Sequence, residues 1–147
     1  IKDYLLDNFD IYCNYKNIND IAHLKNYICD LSSKDYIVLL DANEMVNIQT
    51  ITLWNQVILN EPEYDIFWTP RINLDDTLTE EEKKAKYGIK MNEQGWINWP
   101  DKQPRIIKTS AGLIWEQKEQ SMIIKGAKKS GALTADPRLA TINQKRK

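Results

Sequence analysis

The stretch Asp35-Tyr36-Ile37-Val38-Leu39-Leu40-Asp41-Ala42-Asn43-Glu44 joins a short apolar run to an abrupt polar end. The run at 36–40 is continuous and rich in branched residues, which is typical of a strand buried on both faces of a parallel or mixed sheet. Because ligands of open α/β sheets bind at the carboxyl ends of strands, we expect the side chains after Leu40 to face a binding crevice. The stretch therefore predicts an α/β domain with its functional site at the end of this strand.

Three polar side chains, those of Asp41, Asn43 and Glu44, follow the predicted strand. On an extended chain Asp41 and Asn43 point to the same side, where their oxygens can bind one hard cation. Alternatively, these residue types turn the chain and cap the helix that follows. The residues alone leave both interpretations open.

Length, charge and cysteine content limit the class of protein. The 147 residues predict a single domain, 1–147, and the net charge of −1 provides no basic field for nucleic acid. The two cysteines, Cys13 and Cys29, have no CxxC spacing and indicate reduced thiols in a cytoplasmic protein. No apolar run reaches the roughly 18 residues of a membrane span. The chain begins at Ile1, in what resembles a helix, so we expect further sequence upstream.

Hydrophobic periodicity and turn residues predict the elements of the fold. Helices are expected at 18–31, 48–59 and 80–87, the last within a polar helical excursion at 75–95. Strands are expected at 9–13, 36–40, 64–69, 103–108, 113–117 and 121–125.

The order of these elements also predicts how they assemble. We expect 36–40 to be a central strand, flanked by the strands that contain Ile11 and Phe67, with helix 18–31 on one face. The strands at 103–108 and 113–117 are predicted to pair as a hairpin. Residues 137–147 are expected to form a helix or a loose tail.

Five short segments carry a further signal because of their order along the chain. They are Lys25-Asn26, the stretch 35–44, Pro70-Arg71-Ile72-Asn73, the aromatic segment Gly95-Trp96-Ile97-Asn98-Trp99-Pro100-Asp101-Lys102-Gln103-Pro104-Arg105, and Gly112-Leu113-Ile114-Trp115-Glu116. In this order they resemble the motifs of family 2 glycosyltransferases of the GT-A fold, especially the short forms of bacterial and phage genomes. The resemblance covers most of the chain but lacks the N-terminal part of the family pattern.

The resemblance implies a GT-A-like α/β fold, with a mixed, mostly parallel sheet that is flanked by helices and incomplete at the N-terminus. It also implies transfer of a sugar from a nucleotide-diphosphate donor to a glycan or other hydroxyl acceptor. A divalent cation, Mn²⁺ or Mg²⁺, would bridge the two phosphates at the DxD-like position and, with a nearby lysine, stabilise the leaving diphosphate.

The resemblance assigns roles to ten residues. The metal candidates are Asp41, Asn43 and Glu44, and the nucleotide or phosphate candidates are Lys25, Asn26 and Asp41. The acceptor candidates are Trp96, Trp99, Gln103 and Arg105. Asp101 is the candidate catalytic base, and we expect it to open into the same crevice as Asp41, with Trp96 or Trp99 lining that crevice. The alternative is that both rings are buried packing and that Asp101 caps a turn.

Three departures from the family pattern bear on activity. Asn43 replaces the second acid of the DxD motif, Trp115 replaces the family's histidine, and the strand that seats the nucleoside base is missing. We therefore expect a degenerate metal site that binds a divalent cation and nucleotide diphosphate weakly or not at all. A non-catalytic glycan-binding or assembly module derived from a glycosyltransferase is the alternative function. A nucleotidyltransferase is a third possibility, and it should carry a glycine-rich phosphate loop upstream.

Overall fold

The computed structural model of the chain describes residues 21–118 and 121–146, which form a mixed α/β arrangement. Its helices are α1 (Ile21–Leu31), α2 (Ile48–Asn60) and α3 (Glu80–Tyr87). Its strands are β1 (Tyr36–Val38), β2 (Glu44–Met45), β3 (Ile66–Thr69), β4 (Arg71–Asp75), β5 (Gln103–Lys108), β6 (Ile114–Lys118), β7 (Ser121–Lys125), β8 (Ser130–Ala132) and β9 (Thr141–Lys145). None of the helices in these two ranges is long and apolar enough to cross a membrane.

The strands form two sheets and a hairpin. The larger sheet has the order β1-β5-β3-β8, with β5 antiparallel to both of its neighbours and β8 parallel to β3. The smaller sheet has the order β2-β9-β4, in which β9 is antiparallel to β2 and parallel to β4. Strands β6 and β7 form an antiparallel hairpin. The expected mixed sheet is confirmed, but it is not mostly parallel, since antiparallel ladders predominate in the described residues.

The expected position of the strand at 36–40 is wrong in two respects. Within the described residues β1 pairs with β5, and β5 separates it from β3, the strand that contains Phe67. The strand predicted around Ile11 lies outside the described residues. The run is also not buried on both faces, because Leu39 is buried whereas Val38 and Leu40 are exposed.

Two apolar layers cover the larger sheet. Successive residues of a strand point to opposite faces, so Ile107 packs with Ala22 of α1 whereas Ile106 packs with Trp54 of α2. The prediction that the first helix covers one face of the sheet is confirmed over Ile21–Leu31, and residues 18–20 lie outside the described ranges. The sheet is thus the middle layer between the two helices.

Local capping fixes the second and third helices where they were predicted. The Asn47 side chain accepts a hydrogen bond from the Thr50 amide (2.8 Å) and so begins α2. Thr79 and Glu82 form a reciprocal capping box at the start of α3, and Gly88 ends that helix with a φ of 50°.

Three other parts of the predicted strand arrangement need correction. Strand β4 begins directly after Pro70, in a segment where no strand was predicted. Strand β6 pairs with β7 and not with the strand at 103–108. Residues 141–145 form β9 between β2 and β4, and not a helix or a loose tail.

Candidate active site

The chain turns sharply at the end of β1. The amide of Glu44 donates to the carbonyl of Asp41 (2.9 Å), which closes a turn over Ala42 and Asn43. The extended path on which a shared cation site depended is therefore not present. The Asn43 amide group instead donates to Oδ1 of Asn143 in β9 (2.6 Å), away from the Asp41 carboxylate.

A cavity of about 360 Å³ lies beside Asp41. Its apolar wall is formed by Ile21, Trp68, Pro104, Trp115 and Ile124. Its polar lining is formed by Lys25, Asp41, Gln103 and Arg105. The cavity thus brings together four of the residues predicted for the site, and it lies between α1, the start of β5 and the β6–β7 hairpin.

Lys25 reaches into this cavity from α1. Its ammonium lies 3.9 Å from Oδ1 of Asp41 and 4.4 Å from the centre of the Trp115 ring. Burial lowers the pKa of Lys25 below its ordinary value, although the nearby Asp41 carboxylate opposes this shift. A partly desolvated ammonium of this kind favours an anionic ligand.

Asn26, the neighbour of Lys25 and a predicted phosphate contact, is hydrogen-bonded to the protein backbone. Its side-chain amide donates to the carbonyl of Trp115 (2.9 Å) and accepts from the amide of Trp115 (2.7 Å). Asn26 therefore links α1 to β6, because its side-chain amide pairs with the Trp115 backbone as a peptide group of a neighbouring strand would. In this arrangement both of its polar atoms face the protein backbone and not a phosphate.

Arg105 is a buried link between two acids. Its side chain is 2% exposed, and its Nη2 donates to Oδ2 of Asp41 (2.8 Å) and also to Oε1 of Glu44. Its Nε has no hydrogen-bond acceptor among residues 21–118 and 121–146. Arg105 was predicted as an acceptor contact, but it lies at the cavity wall beside Asp41.

Glu44 is the most enclosed acid of the site. Its side chain is 0% exposed, and its Oε2 accepts from the backbone amide of Asp41 (3.0 Å). Its Oε1 accepts from Arg105 and from Nη1 of Arg71 (3.2 Å). Both carboxylate oxygens of this candidate metal ligand are therefore engaged by protein donors.

Asp101 is held by three neighbouring side chains. Its Oδ2 accepts from Nη2 of Arg71 (2.7 Å) and from Asn73 (2.7 Å), and its Oδ1 accepts from Gln103 (2.9 Å). Burial alone would raise the pKa of Asp101, but the hydrogen bonds from Asn73 and Arg71 lower it below the ordinary value. Asp101 is thus a carboxylate with low basicity as long as these donors stay in place.

Asp101 and the two tryptophans do not line the cavity beside Asp41. Asp101 is connected to the cavity only indirectly, because it accepts a hydrogen bond from Gln103, which is part of the lining. Trp96 and Trp99 are half-buried and contact each other edge to face, with ring centres 5.0 Å apart. The expectation that one of these rings lines the Asp41 crevice is wrong, since neither ring is part of the cavity lining.

Arg71 and Asn73 are site residues to which the sequence assigned no role. Arg71 joins Glu44 to Asp101, and Asn73 binds Asp101 while accepting from Asn143 (2.7 Å). The signal that could have found them is the polar alternation at 71, 73 and 75 along β4, which places these side chains on one face of the strand.

The acids of the site do not gather at one point. In the part of the chain that the structure describes, no group of three histidine, cysteine, aspartate or glutamate residues is arranged to hold a metal ion. No family model, curated protein or solved structure matches the chain. The resemblance to family 2 glycosyltransferases therefore remains a hypothesis based on the sequence motifs.

Proposed function

We propose that this chain is a glycosyltransferase-like domain, in which the cavity beside Asp41 binds the diphosphate of a nucleotide-sugar donor. The observation that supports this most directly is the pairing of two cations, Lys25 and Arg105, in one cavity with the aromatic walls Trp68 and Trp115. Two cations suit the phosphates, and aromatic rings suit the flat faces of a base or a sugar.

The chemistry of sugar transfer explains why such a cavity is useful. As the glycosidic bond breaks, negative charge gathers on the diphosphate leaving group, and a fixed cation stabilises it more in the transition state than before reaction. Lys25 is half-buried and lies against Trp115, so its charge is only partly screened by water. In this proposal Lys25 is the residue that stabilises the leaving group.

The acceptor hydroxyl would approach from the side of Asp101 and the Trp96–Trp99 pair. Asp101 would accept the hydroxyl proton, as the resemblance implies. Its lowered pKa makes it a weak base in the arrangement described, so the proposal requires the acceptor to displace at least one donor, such as Asn73.

We expect the isolated chain to bind nucleotide diphosphates weakly. Two charge-assisted hydrogen bonds contribute roughly 3 to 6 kcal/mol in all, and about 4 kcal/mol corresponds to a Kd of about 1 mM. Calorimetry with UDP, GDP, CDP and ADP, each with and without Mn²⁺, would measure this binding. Hydrolysis of the matching nucleotide-sugars would then report on transfer chemistry.

A matched pair of lysine variants makes this experiment specific. Lys25→Gln should remove most of the binding, whereas Lys83→Gln should leave it unchanged. The two lysine side chains are equally exposed, at 15%, but Lys83 pairs with Glu80 on α3, outside the cavity. Absence of binding for every nucleotide tested, or equal binding by both variants, would contradict the proposed function.

A second candidate function is a non-catalytic glycan-binding or assembly module. The observation that favours it is that both oxygens of Glu44 and of Asp101 already accept hydrogen bonds. In Glu44 they accept from the two arginines and the Asp41 amide. In Asp101 they accept from Arg71, Asn73 and Gln103. This candidate predicts binding of oligosaccharides near Trp96 and Trp99, with no hydrolysis of any nucleotide-sugar. Glycan-array binding together with inactive hydrolysis assays would support it over the enzyme.

A further inference from the structure

We infer, on the basis of the function proposed above, that the cavity neutralises a diphosphate with Lys25 and Arg105 and not with a divalent cation. The phosphate oxygens would take the place that the Asp41 carboxylate now occupies beside these two cations. Asp41 is then a competitor of the ligand and not a metal ligand.

The acids of the site do not fit a divalent cation. Mn²⁺ and Mg²⁺ need several oxygens that converge on one point. Asp41 faces Arg105 at 2.8 Å and Lys25 at 3.9 Å, and a metal ion there would have to replace both cations. Glu44 has both oxygens engaged, and Asn43 faces Asn143 beyond the turn. No two of the three candidate ligands therefore present free oxygens to one site.

Two buried donors, by contrast, lie beside the cavity without a good acceptor. Arg105 is 2% exposed, and across the described ranges its Nε has no acceptor, which is costly for a buried charged group. The indole N–H of Trp115 is also buried, and its neighbour is the Cys29 thiol, a weak acceptor. Both of these atoms are enclosed, so a diphosphate that displaced the Asp41 carboxylate would meet Arg105 at Nη2, the nitrogen that now donates to Asp41.

Exposure identifies the group that gives way to the ligand. The Asp41 side chain is 44% exposed, whereas that of Arg105 is 2% exposed and is also held by Glu44. Asp41 can therefore rotate toward water while Arg105 stays in place. The three cations Lys25, Arg71 and Arg105 balance the three acids of the network, so removal of the Asp41 charge leaves the cavity one unit more positive.

Substitution of Asp41 separates the two mechanisms, because they predict opposite signs. If Asp41 were a metal ligand, Asp41→Asn would weaken binding of a diphosphate in the presence of Mn²⁺. If Asp41 competes with the ligand, Asp41→Asn strengthens binding several-fold and does so in EDTA. Inorganic pyrophosphate is the probe, because it carries the phosphates without a nucleoside, and calorimetry measures its Kd.

We expect pyrophosphate to bind wild-type protein in EDTA, to bind Asp41→Asn several-fold more tightly, and to bind Lys25→Gln several-fold more weakly. Lys83→Gln serves as the control and should match wild type. Thermal unfolding of each variant shows whether it is folded, and Lys25→Gln keeps the test decisive if Asp41→Asn does not fold.

Pyrophosphate binding that requires Mn²⁺, or that Asp41→Asn weakens in a folded protein, would overturn the inference. So would the absence of binding in EDTA. Nucleotides that bind only with Mn²⁺ would overturn this inference and leave the proposed function intact. Pyrophosphate could instead bind without metal and depend on Lys25, while no nucleotide competes with it. That result would support this inference and contradict the proposed function.

Discussion

Replacement of Glu44 by glutamine should destabilise the protein strongly. The Glu44 side chain is 0% exposed and accepts from two arginines, Arg71 and Arg105, and from one backbone amide. Glutamine keeps the shape but removes the charge, so both guanidinium groups lose a buried counter-ion. Breaking such a buried pair costs about 3 to 5 kcal/mol, out of a typical total stability of about 5 to 15 kcal/mol. The expected fall in Tm is roughly 6 to 20 °C.

Equilibrium unfolding in urea, followed by circular dichroism, measures this cost as a change in the transition midpoint. Glu63→Gln is the matched control, because Glu63 also accepts from a cation, Lys129 (2.8 Å), but does so at the surface. The control should unfold at nearly the wild-type midpoint. A Glu44→Gln midpoint equal to that of the control would refute the view that the buried acid holds the two arginines.

Two further predictions concern Asp101 and Asn26. Asp101→Asn should abolish sugar transfer while nucleotide binding stays largely intact, and wild-type activity of this variant would exclude Asp101 from the reaction. The folded-state pKa of Asp101 is lowered from 3.8, so its contribution to stability is present above that pH and is lost below it. When the pH is lowered from about 5 to 3, the free energy of unfolding measured in urea should therefore fall less for Asp101→Asn than for wild type. Asn26→Ala should cost about 1 to 3 kcal/mol and speed hydrogen exchange at the Trp115 amide, whereas Asn55→Ala, at an exposed position of α2, should do neither.

The helices were the most predictable part of the fold, because their signals are local. The capping box of Thr79 and Glu82 marks the start of α3, and Gly88, nine residues after Thr79, marks its end. Each signal lies within one turn of the helix end that it marks. Apolar residues at helical spacing likewise mark α1 and α2. These patterns need no information from distant parts of the chain.

Strand pairing was less predictable, because it depends on residues far apart in the sequence. Strand β9 reaches its partners β2 and β4 from the opposite end of the chain, and its residues alternate between apolar and polar too weakly to reveal a strand. In β4 the alternation of Arg71, Ile72 and Asn73 is a strand signal, but the preceding proline pointed to the end of a sheet. The pairing of β1 with β5 and not with β3 has no local signal.

The candidate site was predictable by position but not by partner. A cavity lies beside Asp41, just after β1, and Lys25, Asp41, Gln103 and Arg105 all line it. Their roles depend on which opposite charge each one meets, and that is a property of the folded structure. The acids suggested a metal site because the sequence does not show that Arg105 is buried between two of them.

The arginines also connect the two sides of the proposed reaction. Arg105 contacts Asp41 and Glu44, and Arg71 contacts Glu44 and Asp101, so one chain of opposite charges runs from the cavity to Asp101. If a diphosphate displaces Asp41, it shares Arg105 with Glu44 and draws part of that guanidinium charge away from Glu44. Glu44 then binds Arg71 more strongly, and Arg71 holds Asp101 less strongly. Glu44 would in this way couple donor binding to the basicity of Asp101, the carboxylate that would accept the proton of the acceptor hydroxyl.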